Sequence, residues 1–161
     1  MNWELLFAKQ EKLDNYIMEN QQLENTNLFE ERMLALLVEL GELANETRCF
    51  KFWSKKTSSP KKIVLEEYVD NIHFLLSIGI NTGYQFSEIN IPSTNLNETE
   101  QFNYVFQKCL AFYAEPTENQ YVDLFQAYLQ LATLLHFSEA DIFKAYDKKN
   151  EVNYARQDQD Y

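Results

Sequence analysis

Glycine and proline, which most often interrupt helices, are scarce: the 161-residue chain has only three of each. So few breakers favour long helices over many short strands joined by turns. Cysteine is scarce as well, and Cys49 and Cys109 lie too far apart to match a metal-binding spacing. Two cysteines in a chain of this length exclude the small disulfide-rich class and favour the reducing cytoplasm as its setting.

Basic residues are also in the minority. The chain has 14 Lys and Arg against 25 Asp and Glu, a formal net charge of −11. Sequence-independent nucleic-acid binding and adhesion to anionic membranes both need a basic surface, so we expect neither partner. An acidic protein can still act on a polyphosphate when divalent metal ions bridge the two.

Long apolar runs are missing too. No stretch reaches the roughly 18 residues of a membrane span, and "MNWELLFAKQEKLD" lacks the basic start and apolar run of a signal peptide. Hydrophobic residues nevertheless make up 45% of the chain, enough for a buried core. We therefore expect one domain over residues 1–161.

Helix-start signals recur along the chain. A first amphipathic helix is predicted from Trp3 to about Leu23, and a second, capped by Asn27, to about Cys49. A third is predicted from Ser59 and Pro60 to about Thr82. Three later starts follow the capping pattern: Asn97 with Glu100, Thr117 with Gln120, and Ser138 with Asp141. These signals predict an all-α, compact bundle of about six helices without a sheet.

Two pairs of carboxylates lie three residues apart, on one face of a predicted helix each. They are Glu39 with Glu42, in "ALLVELGELANE", and Glu67 with Asp70, in "LEEYVDNIHF". Such pairs are also common on solvated faces, and Glu11 with Asp14 and Glu115 with Glu118 have the same spacing. The first two pairs differ because Leu, Val, Ile and Phe surround them, so their helices must be largely buried.

Like charges at this spacing destabilise a helix by roughly 0.2–0.5 kcal/mol per pair in water, and more when desolvated. Clustered carboxylates therefore call for a compensating cation. Hard oxygen ligands without His or Cys favour Mg²⁺ or Mn²⁺ over zinc.

The order of these and other motifs resembles a known family. An E-x-x-E pair is followed, about two dozen residues later, by E-x-x-D, and the chain closes on "YDKKNEVNYARQDQDY". "QEKLDNYI", "FKFWS" and "EEYVDNIHFLLSIGI" occur in the same order as in the dimeric dUTPases. Those enzymes belong to the all-α NTP pyrophosphatases, with the MazG-type enzymes and the phosphoribosyl-ATP pyrophosphatases. Asp160 departs from the family pattern, which usually has glycine there.

The resemblance implies a metal site with two or more Mg²⁺ ions, Mn²⁺ being the alternative. Its ligands would be the four clustered carboxylates, Glu39, Glu42, Glu67 and Asp70. Glu39 would orient or deprotonate the attacking water. Glu46 follows on the same face, either as a peripheral ligand or as a solvated helix end. Gly41 would permit close approach of another group beside the site.

The resemblance also gives the polar tail a role. Lys149, Asn153 and Arg156 lie at spacings of four and three, on one face of a helix. Alone, this pattern favours a frayed, solvated helix end, but the family motif assigns it to phosphate oxygens. Lys55 and the terminal Tyr161 complete the expected phosphate-binding set.

For the base and sugar, the resemblance indicates Gln10, Trp53 and Phe74. Gln10 aligns with a family uracil contact, Trp53 offers a stacking face, and Phe74 would crowd the sugar's 2′ position. The alternatives are a dimer interface for Trp53 and plain core packing for Phe74. We expect His73 to satisfy a buried hydrogen bond rather than to bind metal.

Together these motifs imply hydrolysis of dUTP to dUMP and pyrophosphate, with dUDP also accepted and water attacking the β phosphorus. The family further implies a homodimer whose active sites draw on both subunits. Alternatives are a dCTPase, a broader MazG-like pyrophosphohydrolase, or a non-catalytic helical binding protein of the same fold. The complete carboxylate set argues against the last.

Overall fold

Six α-helices make up the computed structural model, which describes residues 1–88 and 90–159. They are α1 (Trp3–Asn20), α2 (Phe29–Thr47), α3 (Lys61–Thr82), α4 (Glu98–Ala114), α5 (Glu118–Leu134) and α6 (Glu139–Asp158). Within the described residues there is no strand, which confirms the predicted all-α class. No helix among them has the length and apolar character needed to cross a bilayer.

The three later helix starts lie where the caps predicted them. Asn97 and Ser138 form complete capping boxes at α4 and α6, and the Thr117 hydroxyl accepts from the first turn of α5. The predicted cap of α2 is wrong, because the helix begins after Leu28 without a side-chain cap. Asn27 accepts instead from the Phe29 amide at 3.1 Å, which makes a turn before the helix.

Two other helix boundaries differ from expectation. α1 ends at Asn20, and Gln22 then adopts a φ of 56°. The predicted Ser59 cap of α3 is also wrong: Pro60 takes the cap position, and the Ser59 hydroxyl donates to the Glu46 carboxylate. This bond ties the loop before α3 back to α2.

α3 is the centre of the bundle and packs against α1, α2 and α6. Its apolar side chains are buried along most of its length, which explains its near-continuous hydrophobic sequence. Two buried tyrosines of α5 fasten that helix to α3: Tyr121 donates to the Leu75 carbonyl at 2.8 Å, and Tyr128 to the Tyr68 carbonyl at 2.6 Å. α2 and α6 both pack on α3, which brings the polar faces of these three helices together.

Close approach to a glycine occurs at a different place from the one predicted. A Cβ atom on Gly79 would collide with the Tyr121 ring, so this glycine lets α3 and α5 approach each other. A Cβ atom on Gly41 would meet nothing within 4 Å. The prediction that Gly41 permits close approach is therefore wrong within the chain, because this face of α2 is open.

Candidate active site

Three carboxylates meet where α2 packs on α3. Glu39, Glu67 and Asp70 each offer an oxygen, and these oxygens all lie within 4.8 Å of one another. All three side chains are half-buried, because the apolar faces of both helices turn into the core beside them. This spacing and donor type suit a hard divalent cation.

Glu42 is the predicted ligand that the structure leaves outside this group. Its side chain is exposed and lines a shallow cleft together with Glu46 and Glu67. It is still close enough for its charge to raise the pKa of Glu39 and of Glu67. The structure thus gathers three of the four predicted carboxylates and places the fourth at their solvent edge.

Burial and crowding disfavour ionisation of the cluster. Burial, followed by the charges of Asp70, Glu42 and Glu67, raises the pKa of Glu39 to about 7. Burial is also the main reason why the pKa values of Glu67 and Asp70 lie above their ordinary range. A cluster that resists ionisation without a cation fits a metal site, since a bound cation removes the repulsion.

The raised pKa of Glu39 predicts how metal-free stability depends on pH. A carboxyl with a higher pKa in the folded state stabilises the fold below its unfolded value, near 4.5, and that contribution is lost as pH rises through about 7. Glu39→Gln should therefore stabilise the EDTA-treated protein at pH 8 by about 1 kcal/mol, allowing for solvent screening. Calorimetry should show a Tm gain of about 2–4 °C at pH 8 and a much smaller one at pH 5.

Glu24→Gln is the matched control, because Glu24 is exposed in the turn after α1. Its Tm should follow the unmodified protein at both pH values. The same Tm gain at pH 5 and pH 8 for Glu39→Gln would contradict a cluster strained by ionisation.

Cations of α6 and two of the carboxylates, Glu39 and Asp70, line a cavity of about 200 Å³, here called the central cavity. Its wall comes from α1, α2, α3 and α6 and includes the predicted face Lys149, Asn153 and Arg156. The Lys149 ammonium lies 2.7 Å from Asp70 Oδ2 and lowers the pKa of Asp70, opposing the effect of burial. The predicted helical face is confirmed, since all three side chains border one cavity.

Gln10 and His73 also line the central cavity and are both buried. Gln10 Oε1 lies 2.7 Å from His73 Nδ1 and accepts from the Tyr146 hydroxyl at 2.8 Å, while its Nε2 donates to Asp14 Oδ1 at 2.8 Å. The Gln10 amide thus has three protein partners, and its contact with uracil stays a prediction. His73 makes the expected buried hydrogen bond, and burial lowers the pKa of its ring to about 3.

Of the other residues predicted to bind base, sugar or phosphate, one lines the cavity and the rest do not or lie outside the described residues. Phe74 lines the central cavity and also packs on the core, and its contact with the sugar stays a prediction. Trp53 does not line this cavity; it is 65% exposed and contacts the rings of Phe50 and Phe52. Lys55 is exposed in the same loop, and Tyr161, with Asp160, lies outside the described residues.

Four polar residues around the cavity were missed by the sequence analysis: Asp14, Arg32, Ser77 and Tyr146. The interpretation of Asp14 as part of a solvated pair with Glu11 is wrong, since its side chain is buried. The available signal was its position in α1, next to the buried Leu13 and four residues after Gln10.

Glu46 is not a solvated helix end, whereas its role as a peripheral ligand stays a prediction. Its half-buried carboxylate accepts from the Ser59 hydroxyl, and its carbonyl accepts from the Ser59 amide at 3.0 Å. Glu46 therefore anchors the loop between α2 and α3 instead of ending the helix in solvent.

Comparison with known proteins identifies the family. No curated protein matches the chain in sequence. The sequence model of a dUTPase family, by contrast, matches residues 2–161. That match spans the carboxylate pairs, the central cavity and the polar tail. The chain belongs to the dimeric, all-α dUTPase family and is a dUTP diphosphatase.

Proposed function

We propose that the chain hydrolyses dUTP to dUMP and pyrophosphate with two or more Mg²⁺ ions held at the carboxylate cluster, Mn²⁺ being the alternative. One observation carries this proposal: Glu39, Glu67 and Asp70 offer oxygens within 4.8 Å of one another, and the Lys149 ammonium lies 2.7 Å from Asp70. Anionic ligands for a metal and a cation for phosphate thus lie side by side in one small site.

The four carboxylates have different roles in this proposal, as metal ligands or as general base. Bound Mg²⁺ supplies Lewis acidity, polarising phosphoryl oxygens and lowering the pKa of water. Glu67 and Asp70 would hold the metal, and Glu42 would join them from the solvent edge. Glu39 orients the attacking water and accepts its proton at a carboxylate oxygen, the role of a general base.

The α6 cations bind the triphosphate. Lys149 would exchange its contact with Asp70 for phosphate oxygens once metal neutralises that carboxylate. Arg156 suits bidentate phosphate contacts, and Asn153 can donate from its amide. Lys55 and Tyr161 would close over the phosphates from the loop and the C-terminus.

The base lies against Gln10 in this proposal. Trp53 would stack on the uracil ring when its loop folds over the cavity, and Phe74 would occupy the space of a ribose 2′ hydroxyl. Gln10 is buried and Phe74 half-buried in the cavity wall, which supports a pocket that recognises the base and sugar by shape and hydrogen bonding.

A panel of nucleotides tests this function. Initial rates with dUTP, dUDP, dCTP, dTTP and UTP in Mg²⁺ should show dUTP as the best substrate, with dUDP second. A preference for dCTP would support the dCTPase alternative, and no preference would support the broader MazG-like one. Absence of turnover with all five, while dUTP still binds, would indicate the non-catalytic binding protein.

The position of water attack is part of the proposal. Attack at the β phosphorus breaks its bond to the α-phosphate oxygen, so oxygen from solvent enters pyrophosphate. Hydrolysis in ¹⁸O-labelled water should therefore place the label in pyrophosphate and leave dUMP unlabelled. Label in dUMP would mean attack at the α phosphorus.

We further propose a homodimer whose contact surface includes the outer face of α2. Leu34 and Val38 are 63% and 51% exposed there, one turn apart, and Gly41 follows with open space above it. Exposed apolar residues in a row on one helix are typical of subunit contacts. Val38 and Gly41 also line the cleft of Glu42, so a second copy would reach the edge of the metal site.

Val38→Glu should convert the dimer to monomer, because it puts a charge into an apolar contact. Light scattering coupled to size exclusion should show half the mass, and dUTP turnover should fall at least tenfold, on the order of the effect of losing one interface anchor. Leu5→Glu is the control, since Leu5 is 39% exposed on α1. A Val38→Glu dimer with normal turnover would place the interface elsewhere.

The cellular setting follows from charge and cysteine chemistry. We propose a single domain over residues 1–161, in which residues 146–161 complete the phosphate site. We propose further that the protein works in the cytoplasm without nucleic-acid or membrane partners. The net charge of −11 supports the last point. Cys49 and Cys109 are both free thiols, as in reducing compartments.

A further inference from the structure

A chain of hydrogen bonds runs under the central cavity from α2 to α6. Arg32 Nε donates to Ser77 Oγ at 2.8 Å, and the Ser77 hydroxyl donates to Asp14 Oδ2 at 2.7 Å. The other Asp14 oxygen accepts from Gln10, whose carbonyl oxygen is in turn contacted by His73 and Tyr146. Asp14, Ser77, Gln10 and His73 are all buried and line the cavity.

The direction of every bond in this chain is fixed by two charged groups, Arg32 and Asp14. A guanidinium can only donate, so Ser77 Oγ must accept from Arg32 and donate its one hydrogen to Asp14. The Asp14 carboxylate can only accept, so Gln10 must turn its Nε2 towards Asp14. Its Oε1 then faces His73 and Tyr146, and His73 must carry its hydrogen on Nδ1.

With these directions fixed, two hydrogen-bonding positions remain unused, one on Gln10 and one on His73. Both lone pairs of Gln10 Oε1 are occupied, and only one Nε2 hydrogen is unused. His73 Nε2 bears a lone pair, is buried, and has no hydrogen-bond partner within residues 1–88 and 90–159. Gln10 can therefore donate to a ligand but cannot accept from one.

We propose that Asp14, held by Ser77 and Arg32, is a positioning residue that makes the site select uracil over cytosine. This proposal rests on the proposed function, in which Gln10 contacts the base. Uracil presents the O4 acceptor at the position where cytosine presents its N4 amino donor. A Gln10 that can only donate pairs with O4, whereas it leaves cytosine's amino group facing another donor in a buried site.

Asp14→Asn should invert this polarity with almost no change in shape. Ser77 must still donate, so the carbonyl of the substituted side chain takes that bond and its amide nitrogen faces Gln10. Gln10 then turns its Oε1 to this nitrogen and keeps a lone pair for the cavity, while His73 moves its hydrogen to Nε2. The inverted Gln10 amide accepts from cytosine's amino group.

The ratio of kcat/KM for dUTP to that for dCTP measures the inversion. In Asp14→Asn it should fall by about tenfold or more, through a higher dUTP KM and a lower dCTP KM. Ser77→Ala is the matched control: it removes a bond from the same carboxylate, and that carboxylate, when ionised, still only accepts. Its ratio should stay at the wild-type value even where its rate drops, and a ratio change equal to that of Asp14→Asn would refute the proposal.

Two further readouts separate this proposal from the base pocket on which it rests. Gln10→Ala should change the nucleotide ratio if Gln10 contacts the base, and an unchanged ratio there would remove the pocket itself. A changed ratio in Gln10→Ala with an unchanged one in Asp14→Asn would overturn the positioning role alone. Nitrogen-15 NMR of His73 should show the Nδ1–H form in the unmodified protein, and the Nε2–H form would contradict the polarity even if Asp14→Asn did not fold.

Discussion

Replacing Glu67 by Gln should lower kcat/KM for dUTP by roughly 10³-fold or more, because it removes a ligand of the proposed metal site. A carboxylate oxygen of Glu67 lies within 4.8 Å of oxygens from both Glu39 and Asp70, so Glu67 links the acidic edges of the two helices. An amide keeps the shape but loses the charge that attracts a divalent cation. The loss should be accompanied by weaker Mg²⁺ binding in calorimetric titration.

Glu66→Gln is the matched control for this variant. Glu66 is the preceding residue of α3, but its side chain lines a neighbouring groove between α3 and α6, here called the outer groove, 4.0 Å from Lys148. This groove shares Lys149 and Arg156 with the central cavity, but neither Glu66 nor Lys148 lines that cavity. A surface ion pair of that length contributes little, so turnover should change less than twofold, about the effect of a few tenths of a kcal/mol. If Glu67→Gln retained a similar share of activity, the cluster would not be the metal site.

Lys149→Met should lower kcat/KM for dUTP by roughly 10²-fold, the usual effect of removing one charged donor from a transferring phosphoryl group. Lys149 is mostly buried and pairs with Asp70 at 2.7 Å, so its ammonium is held beside the carboxylates. Removal of this competing cation should leave Mg²⁺ binding as tight as before or tighter. A large loss of turnover with undiminished metal affinity distinguishes a phosphate contact from a general structural role.

Lys148→Met provides the comparison. Lys148 precedes Lys149 on α6, but its side chain is 65% exposed and lines the outer groove. Its turnover should remain close to that of the unmodified protein. Equal losses in both lysine variants would mean that net charge on α6, rather than one contact, governs the rate.

Local patterns predicted much of the fold and part of the site. The caps at Asn97, Thr117 and Ser138 act within a single turn, so sequence alone places those helices correctly. The convergence of Glu39 with Glu67 and Asp70 was predictable from apolar flanks, since two buried faces must pack with their acidic edges adjacent. Family resemblance assigned the tail face that the structure brings to the cavity.

The remainder depends on contacts between distant segments. Arg32 and Ser77 are 45 residues apart, and Ser77 and Asp14 are 63 apart, so no local pattern joins them. Asp14 has the same spacing to Glu11 as a solvated pair, and only the packing of α1 on α3 buries it. Gly41 was misinterpreted for a related reason: its surroundings depend on what packs on α2.

Turnover of dUTP by the metal-free protein tests the account most directly. After EDTA treatment and removal of the chelator, the protein should retain its helical circular dichroism but form no dUMP, and added Mg²⁺ should restore dUMP and pyrophosphate in equal amounts. Undiminished hydrolysis in the presence of EDTA would contradict a carboxylate-held metal as the centre of the reaction.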